Sequence, residues 1–253
     1  MTRLVRAEFR KLLTTRLWLW LLLGSIGLVA LFTSLTLGFS GRPGNPAPPL
    51  DTAEGLRSLL SSVTGATALV AVLGVIAMTS EYRYLTITAT FLATPRRERV
   101  VGAKLVTYAA VGLVFGVACA LAVLVIALPW LAAKDVAVSG AGGTMIGTLA
   151  AGVAVLGIYG ALGVGVGALV RNQVAAVVGL LVFLFVVQPL FVSIPALNPV
   201  GRLLPGSAAA AVMQVSQSGF EVLAPWQGAV VLLLYGLVLA GLGVVFTVRR
   251  DVT

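Results

Sequence analysis

Few side chains in this sequence could do chemistry. Histidine is absent from the 253 residues, and the single cysteine, Cys119, lies in the middle of an apolar run. Without imidazole the commonest general base and metal ligand is missing, and a lone thiol can neither close a disulfide within the chain nor build a thiolate metal site. Cys119 reads as structural filler. The loop that cradles nucleotide phosphates, Gly-x-x-x-x-Gly-Lys-Ser/Thr, is also missing; the Gly-rich piece from Gly140 to Gly143 lacks the lysine. ATP hydrolysis by this chain is therefore not expected. An intramembrane enzyme is the least favoured reading, because the apolar stretches hold no carboxylate pair, histidine or activated nucleophile.

Two kinds of candidate remain. Tyr159, Gln188, Ser193 and Tyr235 are polar groups set in apolar sequence. Packing and helix-to-helix hydrogen bonds account for them, while Tyr159, Gln188 and Tyr235 are also candidates to line a path for cargo. The second candidate is the charged segment from Ser80 to Lys104. There Ile87, Phe91 and Leu92 fall at i, i+4 and i+5, an apolar stripe flanked by Thr86, Thr88 and Thr90, before Pro95 ends the turn and a basic cluster follows. A helix of that kind suits docking against another protein; a solvated or headgroup-bound loop would have the same composition.

The elements that must hold these residues follow from composition. At 59% hydrophobic and 10% charged, the chain has too little polar surface to cover a water-soluble fold. A bilayer core about 30 Å thick needs about 20 apolar helical residues to cross it. Six uncharged runs meet that length: Leu17 to Phe39, Ser58 to Met78, Leu105 to Leu131, Thr144 to Val170, Val174 to Ile194, and Gly228 to Val248. The expected fold is an all-α polytopic membrane protein with one transmembrane domain over residues 1–253. None of these runs contains Asp, Glu, Lys, Arg or His, so a proton relay or ion-coupled carrier, which places such groups in the membrane, is disfavoured.

The net charge of +9 is distributed by side rather than gathered into a nucleic-acid patch. Arg3, Arg6, Arg10, Lys11, Arg16, Arg83, Arg96, Arg97, Arg99, Lys104, Arg171, Arg249 and Arg250 fall to one side of the alternating spans. Only Arg42, Arg57, Lys134 and Arg202 fall to the other. Cytoplasmic loops hold the excess of Lys and Arg and meet anionic lipid there, so both termini are expected in the cytoplasm, as an even number of spans requires. The first apolar run is too long for a signal peptide and is expected to remain as a span. Its following loop is rich in Gly and Pro, and residues 195–227 are expected to form short helices at the outer surface or re-entering it. Gly-x-x-x-Gly spacing at Gly112/Gly116, Gly143/Gly147 and Gly163/Gly167 marks candidate packing faces within the subunit.

The segment beginning Glu81-Tyr-Arg-Tyr-Leu-Thr and running through Phe91, Leu92, Pro95 and Arg97 to Lys104 resembles the stretch after the second span in type 2 permeases of the ATP-binding cassette (ABC) superfamily. In that family it forms the coupling helix. Glu81, Arg83, Thr86, Leu92, Pro95, Arg97 and Lys104 occupy the family's positions, with Leu85 where the family has glycine. Ala7 to Arg16 is similar to the family's amphipathic elbow helix, expected over residues 1–16. On a helical wheel Arg3, Arg6 and Arg10 lie together, while Val5, Phe9, Leu12 and Leu13 form the other face, as an interfacial helix requires. Arg171-Asn-Gln-Val-Ala-Ala and Leu204-Pro-Gly-Ser-Ala are similar to the family's second cytoplasmic turn and external half-helices.

The resemblance implies an exporter permease in a bacterial inner membrane, a composition rich in Ala, Val and Gly also pointing to a bacterium of high GC content. It further implies a coupling segment over 80–104 whose Ile87 and Phe91 join the residues above, two copies of a separate ATPase subunit that hold ATP and Mg, and a second permease copy, as a homodimer, meeting along the first and fifth spans. The chain itself would hold no cofactor. An apolar lining suits an amphipathic or hydrophobic cargo such as a drug, antibiotic, peptide or lipid. The other readings are a membrane assembly or regulatory protein without transport, and an ion-gradient carrier.

Overall fold

The computed structural model describes residues 1–40, 48–86, 96–136, 142–170, 172–215 and 220–249. The chain is all-helical, and no strand occurs among the described residues. Helix α1 (Thr2–Thr14) is amphipathic and turns Glu8 and Leu12 inward. It stops where the Thr14 and Thr15 hydroxyls donate to Lys11 O and Leu12 O, an alternative to continuing the helical ladder. Six helical stretches are long and apolar enough to cross a membrane. The first is α2 (Leu17–Phe39). The second joins α3 (Ala53–Leu60), a 3₁₀ segment (Ser61–Ala66) and α4 (Thr67–Arg83). The third and fourth are α5 (Arg97–Ala133) and α6 (Gly142–Leu169). The fifth comprises α7 (Gln173–Val182), a π turn (Phe183–Val187) and α8 (Gln188–Ser193), and the sixth is α11 (Pro225–Arg249).

The first span matches the apolar run that predicts it. The second and third run further, because charged residues at their ends continue the helix instead of ending it: Glu54 and Arg57 at one end of the second, Glu81 and Arg83 at the other, and Glu98, Arg99 and Lys104 at the start of the third. Thr52 caps α3 by accepting from Gly55 N at 3.0 Å, and Asn172 caps α7 by accepting from Ala175 N at 3.0 Å. Between α3 and α4, hydroxyls of Ser61, Thr64 and Thr67 each donate to the carbonyl three residues back, which favours the tighter 3₁₀ geometry. Short helical segments do lie between the fifth and sixth spans: a 3₁₀ turn (Pro195–Leu197), α9 (Asn198–Gly201) and α10 (Pro205–Val212). The last of these is buried along most of its length against α11, where a Cβ on Gly228 would lie 2.6 Å from Ala208 O.

Glycine sets the centre of the bundle. A Cβ on Gly163 would strike Ala71 O, one on Gly160 would strike Tyr108 O, and one on Gly112 would strike Leu156 O. The second and third spans therefore press their backbones onto the fourth, the close approach that small residues allow. Of the three spaced pairs, Gly112/Gly116 and Gly163/Gly167 do pack against neighbours, whereas Gly143 and Gly147 face open space. Burial follows the same plan: 61% of the residues in the apolar windows of the second and fourth spans are covered, against 11% in the fifth. The first, fifth and sixth spans line the outside and present Leu, Val and Phe side chains outward. Cys119 is fully buried in the central core, as filler should be.

Candidate functional site

Four ionic side chains converge at the end of the bundle where α1, the end of α4 and the start of α5 meet. Glu8 projects from the inward face of α1, Glu81 from the last turn of α4 and Lys104 from the second turn of α5. All three are buried, with Lys104 only 1% exposed, and Lys11 closes the group from the rim with its side chain half exposed. Lys104 Nζ lies 2.6 Å from Glu8 Oε2 and 2.9 Å from Glu81 Oε1, and it donates to Ala77 O at 3.2 Å. Lys11 Nζ lies 2.8 Å from Glu8 Oε1 and 2.7 Å from Glu81 Oε1. Two carboxylates and two ammonium groups thus alternate in an electroneutral cluster. Burial pulls the Lys11 pKa down, but hydrogen bonds to Glu8 and Glu81 outweigh it and hold the ammonium above the ordinary lysine value.

Sequence reasoning found part of this group. Glu81 and Lys104 carry the family resemblance, but Glu8 and Lys11 drew no role. The signal for Glu8 was present: an acid in a basic stretch, four residues before Leu12 and on its face of the helix. A carboxylate on the inward face of an amphipathic helix needs a cation opposite. Leu13, on the apolar face expected for an interfacial helix, is 62% exposed; the stripe turned toward the bundle is Leu4, Val5, Glu8, Phe9 and Leu12.

The other residues of the expected coupling segment surround the cluster only in part. Arg83 donates from Nη1 to Gln173 Oε1 at 3.3 Å, and its guanidinium sits 5.7 Å from the centre of the Tyr84 ring, within cation–π range. Thr86 N donates to Glu81 O at 3.0 Å, closing the end of α4. Between them Leu85 takes a left-handed φ of 57° with its side chain 81% exposed. Glycine takes this conformation freely, and leucine adopts it under strain. Ile87, Phe91, Leu92 and Pro95 lie outside the described residues, as does the side chain of Arg97, whose backbone opens α5.

The candidate cargo-path residues divide. Tyr159 and Gln188 border one cavity of about 440 Å³ between the first, second and fifth spans, toward the opposite end of the bundle. Gln188 Oε1 accepts from Gly206 N at 3.0 Å, so it also caps and holds α10. Both irregular segments, the 3₁₀ turn of the second span and the π turn of the fifth, contribute to this cavity through Ser61, Thr64 and Phe185. Tyr235 packs into the same apolar cluster as Tyr159 but does not border the cavity. Ser193 donates to Pro189 O at 2.8 Å within its own helix.

No protein-family model matches this chain, and no curated protein matches it in sequence.

Proposed function

We propose that this chain is the permease subunit of an ATP-driven exporter, with ATP and Mg held on a separate ATPase partner. The observation that supports this reading best is the position of the ionic cluster. Glu81 and Lys104 stand at the two sides of the 87–95 segment that resembles a coupling helix, and Glu8 ties them to α1. Pulling Glu8, Glu81 or Lys104 away leaves an uncompensated buried charge, at a cost of about 3–5 kcal/mol. A push on the segment therefore moves α1, α4 and α5 as one body instead of being absorbed locally.

In this mechanism two ATPase subunits hold the segments of two permease copies, and closure on ATP is passed through the clusters into the spans. The copies form a homodimer along the first and fifth spans, whose outward faces are apolar and little covered by the rest of the chain. Both termini lie in the cytoplasm of a bacterial inner membrane, and an amphipathic or hydrophobic cargo moves outward. The cavity at Tyr159 and Gln188 lies on its path. The test is ATPase activity in lipid discs after coexpression with ATPases encoded beside this chain, comparing wild type with Glu81→Ala and Phe91→Asp. Complex formation with hydrolysis that both substitutions uncouple supports the proposal. Failure of a folded chain to retain any such ATPase refutes it and favours a membrane assembly factor.

A further inference from the structure

The end of the bundle that carries the ionic cluster also holds a cavity of about 950 Å³, bounded by α1, α4, α5 and the start of α7. Its size suits an organic ligand. The walls are mostly apolar, with Leu12, Leu17, Leu73 and Ile76 among them, and the polar lining includes all four residues of the cluster.

Counting donors and acceptors shows what that polar lining still lacks. Lys104 donates to Glu8 Oε2 and Ala77 O and lies in ion-pair contact with Glu81 Oε1 at 2.9 Å. Glu8 receives a lysine on each oxygen. Glu81 Oε1 receives two lysines, but its Oε2 is buried without a hydrogen-bond partner. Lys11 donates to two carboxylates, which leaves one of its three hydrogens. A buried carboxylate oxygen without a donor is unfavourable. Glu81 lines the cavity, and the terminal torsion of glutamate is soft, so a turn about it brings Oε2 within reach of a donor held there.

The missing ligand must supply a donor for Glu81 and an acceptor for Lys11, must carry no net charge into an electroneutral cluster, and must have an apolar body. We propose that the cavity binds a zwitterionic phospholipid with a primary ammonium headgroup, its ammonium donating to Glu81 Oε2 and its phosphate accepting from Lys11. The location agrees, since an amphipathic helix such as α1 lies at headgroup depth and the apolar walls lead from there into the bundle. A choline headgroup has no N–H to offer. An anionic headgroup would bring its negative charge against Glu81 without an ammonium to offset it.

The experiment uses the chain alone, without ATPase, so its outcome is separate from that of the exporter proposal. The purified protein is incubated with equal amounts of phosphatidylethanolamine, phosphatidylcholine and phosphatidylglycerol of identical acyl chains, and retained lipid is read by native mass spectrometry. One charge-assisted hydrogen bond corresponds to about a tenfold preference for phosphatidylethanolamine over phosphatidylcholine. Glu81→Gln replaces the acceptor and should bring the ratio near one. Ala7→Trp, at an exposed position bordering the cavity, leaves the cluster intact and should remove the tightly held lipid by filling its site. Soluble glycerophosphoethanolamine should not displace the lipid, because it lacks the apolar body. Equal retention of the three lipids by wild type, or a preference that survives Ala7→Trp, overturns the proposal, as does displacement by the soluble headgroup at matching concentration.

Discussion

Replacing Lys104 by Met keeps the length of the side chain and removes the only fully buried cation of the cluster. Glu8 Oε2 then loses its partner, Glu81 Oε1 keeps only Lys11, and Ala77 O loses a donor. Two buried carboxylates would share one half-exposed ammonium. The cost has a ceiling, because one carboxylate can take up a proton. At pH 7, starting from an ordinary carboxyl pKa near 4.3, that uptake costs about 3.7 kcal/mol. Adding about 1 kcal/mol for the lost hydrogen bond gives roughly 4–5 kcal/mol at most, in line with about 3–5 kcal/mol for breaking a buried pair. For a chain of this size each kcal/mol moves the midpoint by about 2–4 °C, so Lys104→Met should unfold below wild type by up to about 8–20 °C. Lys11→Met removes a half-exposed ion pair worth about 1 kcal/mol or less after solvent screening and should fall within about 3 °C. Cys119 supplies the assay, being the chain's only thiol and fully buried: a maleimide dye reports unfolding in detergent as that thiol becomes reachable. The pH dependence has a definite sign. The variant's folded state binds one more proton than its unfolded state at neutral pH, so its deficit shrinks as pH falls toward the ordinary carboxyl range. Equal midpoints for Lys104→Met and wild type, or equal losses for the two lysine variants, would refute the reading of the cluster as a buried ionic unit.

Two further outcomes test the packing and the backbone. Gly163→Ala pushes a methyl into Ala71 O and should cost about 1–3 kcal/mol by the same thiol assay, while Gly147→Ala, which meets open space, should be neutral or stabilising by about 0.5–1 kcal/mol. Leu85→Gly relieves a left-handed leucine worth about 1–2 kcal/mol and returns about 0.5–1 kcal/mol in glycine entropy. A net gain of up to about 1 kcal/mol in midpoint stability is the expected result, and a loss would mean that the exposed leucine side chain makes a stabilising contact.

Membrane-spanning helices are legible in sequence because an uncharged run of sufficient length has few other folds open to it. The ends are less legible. Ser58 and Met78 bound the uncharged part of the second span, but the helix runs from Ala53 to Arg83, since Thr52 caps it and nothing in Glu54, Arg57 or Glu81 opposes helical geometry. Glycine spacing alone could not separate Gly163/Gly167, wedged against the second span, from Gly143/Gly147, which touch nothing. That difference depends on which face of the fourth span turns inward. The ionic cluster was legible only on its two sides that flank the 87–95 segment. Its other corners join over long stretches of chain, Glu8 to Lys104 across 96 positions and Lys11 to Glu81 across 70, and no local pattern marks such pairing beyond the presence of an acid on an inward face.

The cluster also has a consequence for how α1 is held. Of its residues only Glu8 and Leu12 are buried, and the remaining inward side chains are half covered. Burying one leucine contributes about 1.5–3 kcal/mol, a weak hold for a thirteen-residue helix. The direction and register of α1 on the bundle must then come from two ion pairs that leave the helix, Glu8 with Lys104 of α5 and Lys11 with Glu81 of α4. Apolar residues at those positions could slide or rotate against α4 and α5; two opposite charges, each facing its own partner, have one satisfactory place. Buried ion pairs often add little net stability over apolar replacements, so their use here is better understood as fixing position. A helix fixed by charge and otherwise lightly packed is tied to α4 and α5 at residues that flank the 87–95 segment, which is the arrangement the proposed coupling requires of it.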